Sequence, residues 1–334
     1  MKIVQARYSE RGPVPHELIR AEEVDCPSPG AGQVLVEVLA APINPSDLLT
    51  LTGDYGVLPD LPAVGGNEGV GRVVETGSGV SQPSVGQTVL LPVGSGTWAS
   101  HLVTDAAGLV SLPVEADPLQ LAMLTINPPT AALLLEEFVD LEPGDWVIQN
   151  AANSAVGGYL VQLAAEKGLR TINVVRRADA VAAVRDQGGD VVVVDGEDLG
   201  RRVREATEGA SIRLGIDAVA GEATERISGC LAPGATLVNY GVMSGEPCRI
   251  SPGELIFRSI TLTGFWLATW FERSDEKARA ELFGGLTAKV AGGQLRAPVA
   301  ATYGLDRIRD AVKAAESGAR GGKILIVPGE TDSS

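Results

Sequence analysis

Apolar positions along this chain follow two different rules. In the first third they come in short runs cut by Gly and Pro. "QVLVEVLAAPI" alternates and then turns continuously apolar, and "GVGRVVETG" and "GQTVLLPVG" follow it. Runs of that length between turn residues predict short strands and a small barrel-like domain. The middle of the chain changes character. "DWVIQN" (Asp145 to Asn150) reads as a short buried strand. After a turn of small residues, Val156, Leu160, Leu163 and Lys167 stand at helical spacing, and Gly168 suits the end of that helix. "RTINVV", "VVVVD", "LGIDAV", "ATLVNYG" and "ITLTGFW" continue the strand series, with helical segments between several of them. Strands alternating with helices imply a parallel, doubly wound sheet. From about Leu267 come a helical stretch, "DEKARAELFGGLTAKVAGG", then "APVAATYGL", a helix "DRIRDAVKAAESG" and a last strand "GKILIV". This part is expected to return to the first domain. The expected fold class is α/β: a β-rich domain over 1–124, a doubly wound parallel-sheet domain over 125–266, and the return over 267–334.

The totals narrow the picture. A chain of 334 residues has room for two domains. Hydrophobic residues make up 45% but aromatics only 4%, so Ala, Val, Leu and Gly must fill the core. A net charge of −15 argues against a general nucleic-acid binder, which needs a basic face. An anionic ligand would need a local basic pocket. No apolar run reaches the ~18 residues of a membrane span. The opening "MKIVQARYSERG" has neither a secretion signal nor the look of a transit peptide, since it leads straight into folded-looking sequence. The three cysteines, Cys26, Cys230 and Cys248, are widely spaced and odd in number. They read as reduced thiols of a cytoplasmic protein.

The strand–turn–helix from Gln149 to Lys167 is where a dinucleotide would bind. Against the pattern G-x-G-x-x-G the three positions are Ala152, Ser154 and Gly157, so only the last glycine is kept. The context supplies the rest: a strand before, a helix after, and another strand about twenty residues on. Small residues let backbone N–H groups approach a pyrophosphate at the helix N-terminus. Asn153, Ser154, Ala155, Val156 and Gly157 are therefore candidate cofactor contacts. The second strand ends in "VVRRAD". An NAD enzyme usually places an acid there for the ribose 2′-hydroxyl, whereas Arg176 and Arg177 suit a 2′-phosphate. The expected cofactor is NADPH.

Two stretches, "INPSDLLTLTGDYG" and "VGGNEGVG", look like the entrance to a zinc alcohol dehydrogenase site without its ligands. The chain resembles the medium-chain dehydrogenase/reductase superfamily over nearly its whole length. That resemblance implies a GroES-like catalytic domain with a Rossmann domain inserted before the C-terminal return. Zinc members carry Cys where this chain has Asn44, and "GHE" where it has "GNE", Gly66 to Glu68. His16 and His101 cannot rebuild a site with three scattered cysteines, so no metal is expected. Within the superfamily the chain is more similar to the mitochondrial-type 2-enoyl thioester reductases. "INPSD", "GDYG" with "LPAVGGNEGV", "NPPTA", "VIQNAANSAVG" and "GLRTINVVR" carry the likeness. Ala155, where Gly is common, and the short "RRAD" depart from it.

The resemblance implies hydride delivery from NADPH to the β-carbon of a trans-2-enoyl thioester of coenzyme A or an acyl-carrier protein. Negative charge then develops on the thioester oxygen and the α-carbon. A donor near that oxygen stabilises the enolate-like transition state, and a proton must reach the α-carbon. Phenols, with an ordinary pKa of about 10, can serve both needs at neutral pH. Tyr55, in "GDYG", matches the family's catalytic tyrosine, acting directly or through water. Asn44 is expected to orient substrate or Tyr55, and Thr130 to bond the nicotinamide carboxamide. Tyr240 and Met243 follow a strand end where the Rossmann crevice opens. Phe265 and Trp266 are candidates to line the crevice between domains. Lys323 is expected either near the cofactor or solvated before an edge strand, and Glu68 is expected to be structural. The apolar "ITLTGFW" strand is an edge candidate, and the family pairs it across a two-fold axis, so a homodimer is expected. Two other readings stand beside this one: an NADPH-dependent quinone or small-enone reductase, and a non-catalytic NADPH-binding sensor.

Overall fold

A computed structural model describes residues 1–318 and 321–330. The chain forms two compact units, one from Met1–Ile126 with Gly285–Ser334 and one from Asn127–Gly284. The expected return begins later than Leu267: the Leu267–Arg273 helix and the Glu276–Ala291 helix as far as Gly284 fall in the second unit.

The first unit is β-rich, as its short punctuated runs predict. One sheet has three strands, with Lys2–Tyr8 between Arg20–Asp25 and Ala63–Val64. The other has seven and is organised around Gln33–Pro42, the ten-residue strand that the longest alternating run produces. That strand pairs antiparallel with Val70–Thr76 (Val38 opposite Gly71), with His101–Asp105 (Val34 opposite Thr104) and, at its end, with Lys323–Ile326 (Leu325 opposite Pro42). Lys323–Ile326 also pairs with Val299–Tyr303, so it is an internal strand and not the expected edge. Val34, Val36, Val38, Leu102, Ile308, Val312, Ile324 and Ile326 fill the core around Trp98, which is fully buried. Trp98 explains the first two glycines of "VGGNEGVG", Gly65 and Gly66. Gly66 has φ 97°, and a Cβ there would come within 2.6 Å of the Trp98 ring.

The second unit holds a six-stranded, all-parallel sheet. In chain order its strands are Trp146–Gln149, Arg170–Val175, Val191–Val194, Ile212–Asp217, Thr236–Asn239 and Thr261–Gly264. They lie in the order third, second, first, fourth, fifth, sixth. This is the Rossmann order, and it reverses between the first and fourth strands, which opens a crevice at their carboxyl ends. Trp146–Gln149 is buried along its whole length, as expected of a central strand covered on both faces. The three cysteines are free, and burial pushes the Cys230 thiol up to about 12, so it behaves as a small apolar side chain. No described helix is long and apolar enough to cross a membrane.

Candidate active site

In the first unit "INPSDLLTLTGDYG" forms the helix Pro45–Thr52. Pro45 suits the first helical position, where a missing N–H is no loss. Asp47 Oδ2 accepts from Asn44 N at 2.7 Å and caps the start. Gly53, at φ 98°, ends the helix. The N–H groups of Gly53, Asp54 and Tyr55 all donate to Leu49 O, at 2.9, 2.9 and 3.2 Å. Tyr55 therefore sits half-buried on a turn fastened to the helix end.

The start of this helix belongs to a buried polar cluster. Asn44, Asp47, Glu68 and Lys323 are 2%, 2%, 0% and 6% exposed. Asn44 Nδ2 donates to Glu68 Oε1 at 2.7 Å, and Lys323 Nζ donates to Asn44 Oδ1. Glu68 Oε2 accepts from Thr125 N at 3.1 Å and from Ile126 N at 2.9 Å. Burial pushes the Glu68 carboxyl up to about 7. The Lys323 ammonium and the Asn44 amide hold it down in part, and the Asp47 charge adds to the rise. Asp47 is pushed up to about 6 by burial, against the pull of Asn44 N–H, the Lys323 ammonium and the amide groups of Asn67. Lys323, expected near the cofactor or in solvent, is buried, not solvated, and is the cation of this cluster. The amide of Asn44, expected to orient substrate or Tyr55, is engaged with Glu68 and Lys323.

The second unit carries the predicted cofactor contacts other than Lys323. Ser154 caps the helix Ala155–Glu166, its hydroxyl accepting from Gly157 N at 3.1 Å. Ala151 has φ 47°, which swings the chain from strand to helix. A Cβ on Gly157 would lie 2.6 Å from Ala152 O, so this one glycine of the fingerprint is required by contact. Asn153 is exposed, Ala155 is half-buried, and Val156 is buried on the first turn of the helix. The Tyr240 phenol meets the Ser154 hydroxyl. Burial raises its pKa, with a contribution from the Asp217 charge and against the Ser154 bond. Thr130 is buried in the helix Asn127–Glu136. Arg176 is exposed and makes no ion pair among the described residues, whereas Arg177 pairs with Asp179 at 3.0 Å. Met243 and Trp266 are exposed, and Phe265 packs edge-on against Phe138.

Sequence reasoning missed Asp217, which ties these parts together. It is fully buried at the end of the fourth strand. Oδ1 accepts from Asn150 Nδ2 at 2.6 Å, Val219 N at 2.8 Å and Ala220 N at 3.0 Å. Oδ2 accepts from Thr224 Oγ1 at 2.6 Å and Asn239 Nδ2 at 3.1 Å. One carboxylate thus joins the ends of the first, fourth and fifth strands. The available signal was an acid at the carboxyl end of a strand, where α/β sheets place their ligands.

The residues present fit a dinucleotide. The tight turn and the capped helix start, packed closely through Gly157, suit a pyrophosphate, and Arg176 is available to a further phosphate. They do not fit zinc. Asn44 and Asn67 stand at the ligand positions, and Asn44 is spent between a carboxylate and an ammonium. Amides and an ammonium are not a zinc donor set. Among the described residues no group of three His, Cys, Asp or Glu could hold a metal ion.

Comparison with known proteins agrees with this geometry. The family described as alcohol dehydrogenase GroES-like domain matches residues 30–114, and zinc-binding dehydrogenase matches 155–283. A mitochondrial enoyl-[acyl-carrier-protein] reductase from Rattus norvegicus is 37% identical over 306 residues, 90% of this chain and 82% of the relative. Among solved structures, a Bacillus thuringiensis chain provisionally named an NADPH:quinone reductase is 28% identical, with TM-score 0.89 over 98% of this chain and 99% of that one. The mitochondrial 2-enoyl thioester reductase Etr1p/Etr2p heterodimer from Candida tropicalis is 25% identical, with TM-score 0.87 over 98% and 100%. An Etr1p variant in complex with NADP and crotonyl-CoA is also 25% identical, with TM-score 0.85 over 98% and 99%. The chain belongs to the medium-chain dehydrogenase/reductase superfamily and, within it, to the family of the mitochondrial enoyl-[acyl-carrier-protein] reductases. The expectation of a cytoplasmic protein is corrected by these relatives, which are mitochondrial and point to that compartment. Composition and free thiols do not distinguish two reducing compartments.

The raised carboxyls have a consequence for stability. Both hold protons in the folded state at pH values where the unfolded chain, with carboxyl pKa values of about 4, has released them. Their contribution is present below pH about 4 and is lost as pH rises through the folded values of about 6 and about 7. Glu68→Gln removes one of the two groups. The difference in Tm between variant and wild type should shift in the variant's favour from pH 5 to pH 8. Parallel melting curves across that range would show that Glu68 does not titrate there.

Proposed function

We propose that this protein reduces the C2=C3 double bond of trans-2-enoyl thioesters, carried on coenzyme A or an acyl-carrier protein, with NADPH and without a metal. The observation that carries the reading is Tyr55, whose backbone N–H is held by the Leu49 carbonyl at the end of a helix that starts among residues that do not fit zinc. Relatives named as enoyl reductases place the chemistry in the same class.

The division of labour follows from charge. Bound NADPH supplies the hydride that adds to the β-carbon. The chain must stabilise the negative charge that appears on the thioester oxygen and must deliver a proton to the α-carbon. Tyr55 is assigned the proton. Ser154 N-caps the helix whose free N–H groups receive the pyrophosphate, and Gly157 lets that helix approach. Asp217 keeps the strand ends in register beneath it. Arg176 is assigned the 2′-phosphate, because it is exposed and unpaired at the end of the second strand, where Arg177 is already held by Asp179. Thr130 is assigned the carboxamide.

The chain is further proposed to be a homodimer. Thr261–Gly264 pairs on one side only, with Thr236–Asn239, and leaves its other edge free. Leu255, Ile256 and Phe257, just before it, are 42%, 67% and 86% exposed. A free strand edge beside an apolar patch favours two-fold pairing.

Three measurements test these assignments. Tyr55→Phe should lower kcat for crotonyl-CoA reduction, followed at the NADPH absorbance, by about 10²–10³-fold. Unchanged thioester turnover, with a simple quinone reduced equally well by both forms, would move the protein to the quinone reductases. Arg176→Ser should raise KM for NADPH about 10-fold or more, the cost of one charge-assisted bond, and leave KM for NADH unchanged. Equal effects on both cofactors would remove Arg176 from the phosphate. Phe257→Glu should convert the species seen by light scattering from twice the chain mass to the chain mass; a wild-type monomer would end the dimer proposal.

A further inference from the structure

The cluster around Glu68 does more than fill a buried space, because it stands at one end of a short rigid lever with Tyr55 at the other. Lys323 and Asn44 are 279 residues apart in the chain, yet Lys323 Nζ donates to Asn44 Oδ1. Asn44 Nδ2 donates to Glu68 Oε1 at 2.7 Å. The amide is therefore oriented from both sides, by an ammonium on its oxygen and a carboxylate on its nitrogen. Its own backbone N–H is held by Asp47 Oδ2 at 2.7 Å. From that fixed point the helix Pro45–Thr52 runs for two turns, about 12 Å. The N–H of Tyr55 then bonds to Leu49 O within that helix.

We propose that Lys323 is a positioning residue for Tyr55: its buried ammonium fixes the Asn44 amide and, through the helix Pro45–Thr52, the turn that carries the phenol. This rests on the assignment of Tyr55 as proton donor. Two carboxyl groups, of Asp47 and Glu68, face the ammonium from the helix and from the "GGNEG" loop. The Tyr8 phenol, on the first strand, faces Asp47 together with Arg11. Without the ammonium the Asn44 oxygen loses its charged donor, and the hold on the amide from that side is weakened. Two buried carboxyl groups then lack their shared countercharge, an arrangement more costly than losing the whole cluster. A displacement of about 1 Å at a reacting group suffices to cost about 10²-fold in rate.

The test is a cycle on the enzyme with crotonyl-CoA and NADPH. Lys323→Met is expected to lower kcat at least about 10-fold. Its Kd for NADPH, read from nicotinamide fluorescence, should stay within about twofold of wild type, as should its KM for crotonyl-CoA. Combined with Tyr55→Phe it is expected to be no slower than Tyr55→Phe alone, because a residue acting through Tyr55 has nothing left to position. A second form, Lys323→Met with Glu68→Gln, removes one charge of each sign. It is expected to melt higher than Lys323→Met and to show the same loss of kcat and the same non-additivity, which separates position from stability. Wild-type kcat in either folded form, with Tyr55→Phe still crippled, would overturn the inference alone. So would a triple or double variant slower than Tyr55→Phe by the full Lys323 factor. Normal turnover by Tyr55→Phe would instead sink the assignment of the phenol, and the inference with it.

Discussion

Glu68 has no exposed surface, and a carboxyl group taken out of water obliges the chain to bring donors to it. The groups that answer it come from three places that lie far apart in sequence. Thr125 and Ile126 offer backbone N–H groups to one oxygen, Asn44 offers its amide to the other, and Lys323 stands behind Asn44. The β-rich unit is in this sense assembled around one acid. Its strands could be paired in several registers by hydrophobic burial alone. The need to satisfy a buried acid and a buried ammonium at once admits few of them. One lysine is set here against two carboxyl groups whose pKa values burial raises.

The Rossmann unit uses the same device with a different result. Asp217 accepts from two side-chain amides, one hydroxyl and two backbone N–H groups. Both of its oxygens are fully engaged, so it fastens strand ends that a parallel sheet otherwise leaves open. The cofactor turn can then be built from alanines and a serine. Stiffness supplied from below by Asp217 and Asn150 makes up for missing glycines above, and only Gly157 is held by direct contact.

Much of this was legible in the sequence. The six strands of the parallel sheet fall where the short apolar runs place them, because a central strand is apolar on both faces and bounded by turns. Gly168 ends its helix as the spacing predicts, with φ 69°. The helix Asn127–Glu136 left no such trace. "NPPTAALLLE" is apolar on every side and almost wholly buried, so it has no helical period to read. Lys323 was hidden for another reason. Local cues in "GGKILIV" describe an exposed lysine, and the group that buries it lies at the other end of the chain. Asp217 was passed over because an acid at a strand end looks like the strand's polar boundary. Tyr55 stood out only through its motif, because a tyrosine on a turn after a helix end carries no local pattern that marks it as functional.

The long reach of Lys323 bears on how the protein is made. The parallel-sheet unit is one uninterrupted stretch, Asn127–Gly284, and has all its strands once that stretch has left the ribosome. The unit that begins at Met1 has to wait. Its central strand, Gln33–Pro42, lacks a neighbour until Lys323–Ile326 is synthesised, and its buried acid lacks a cation until the same moment. The stretch Met1–Ile126 therefore passes through synthesis with an open sheet edge and with acids that still lack their lysine. Of the two units, the one whose synthesis starts earlier is the last to close.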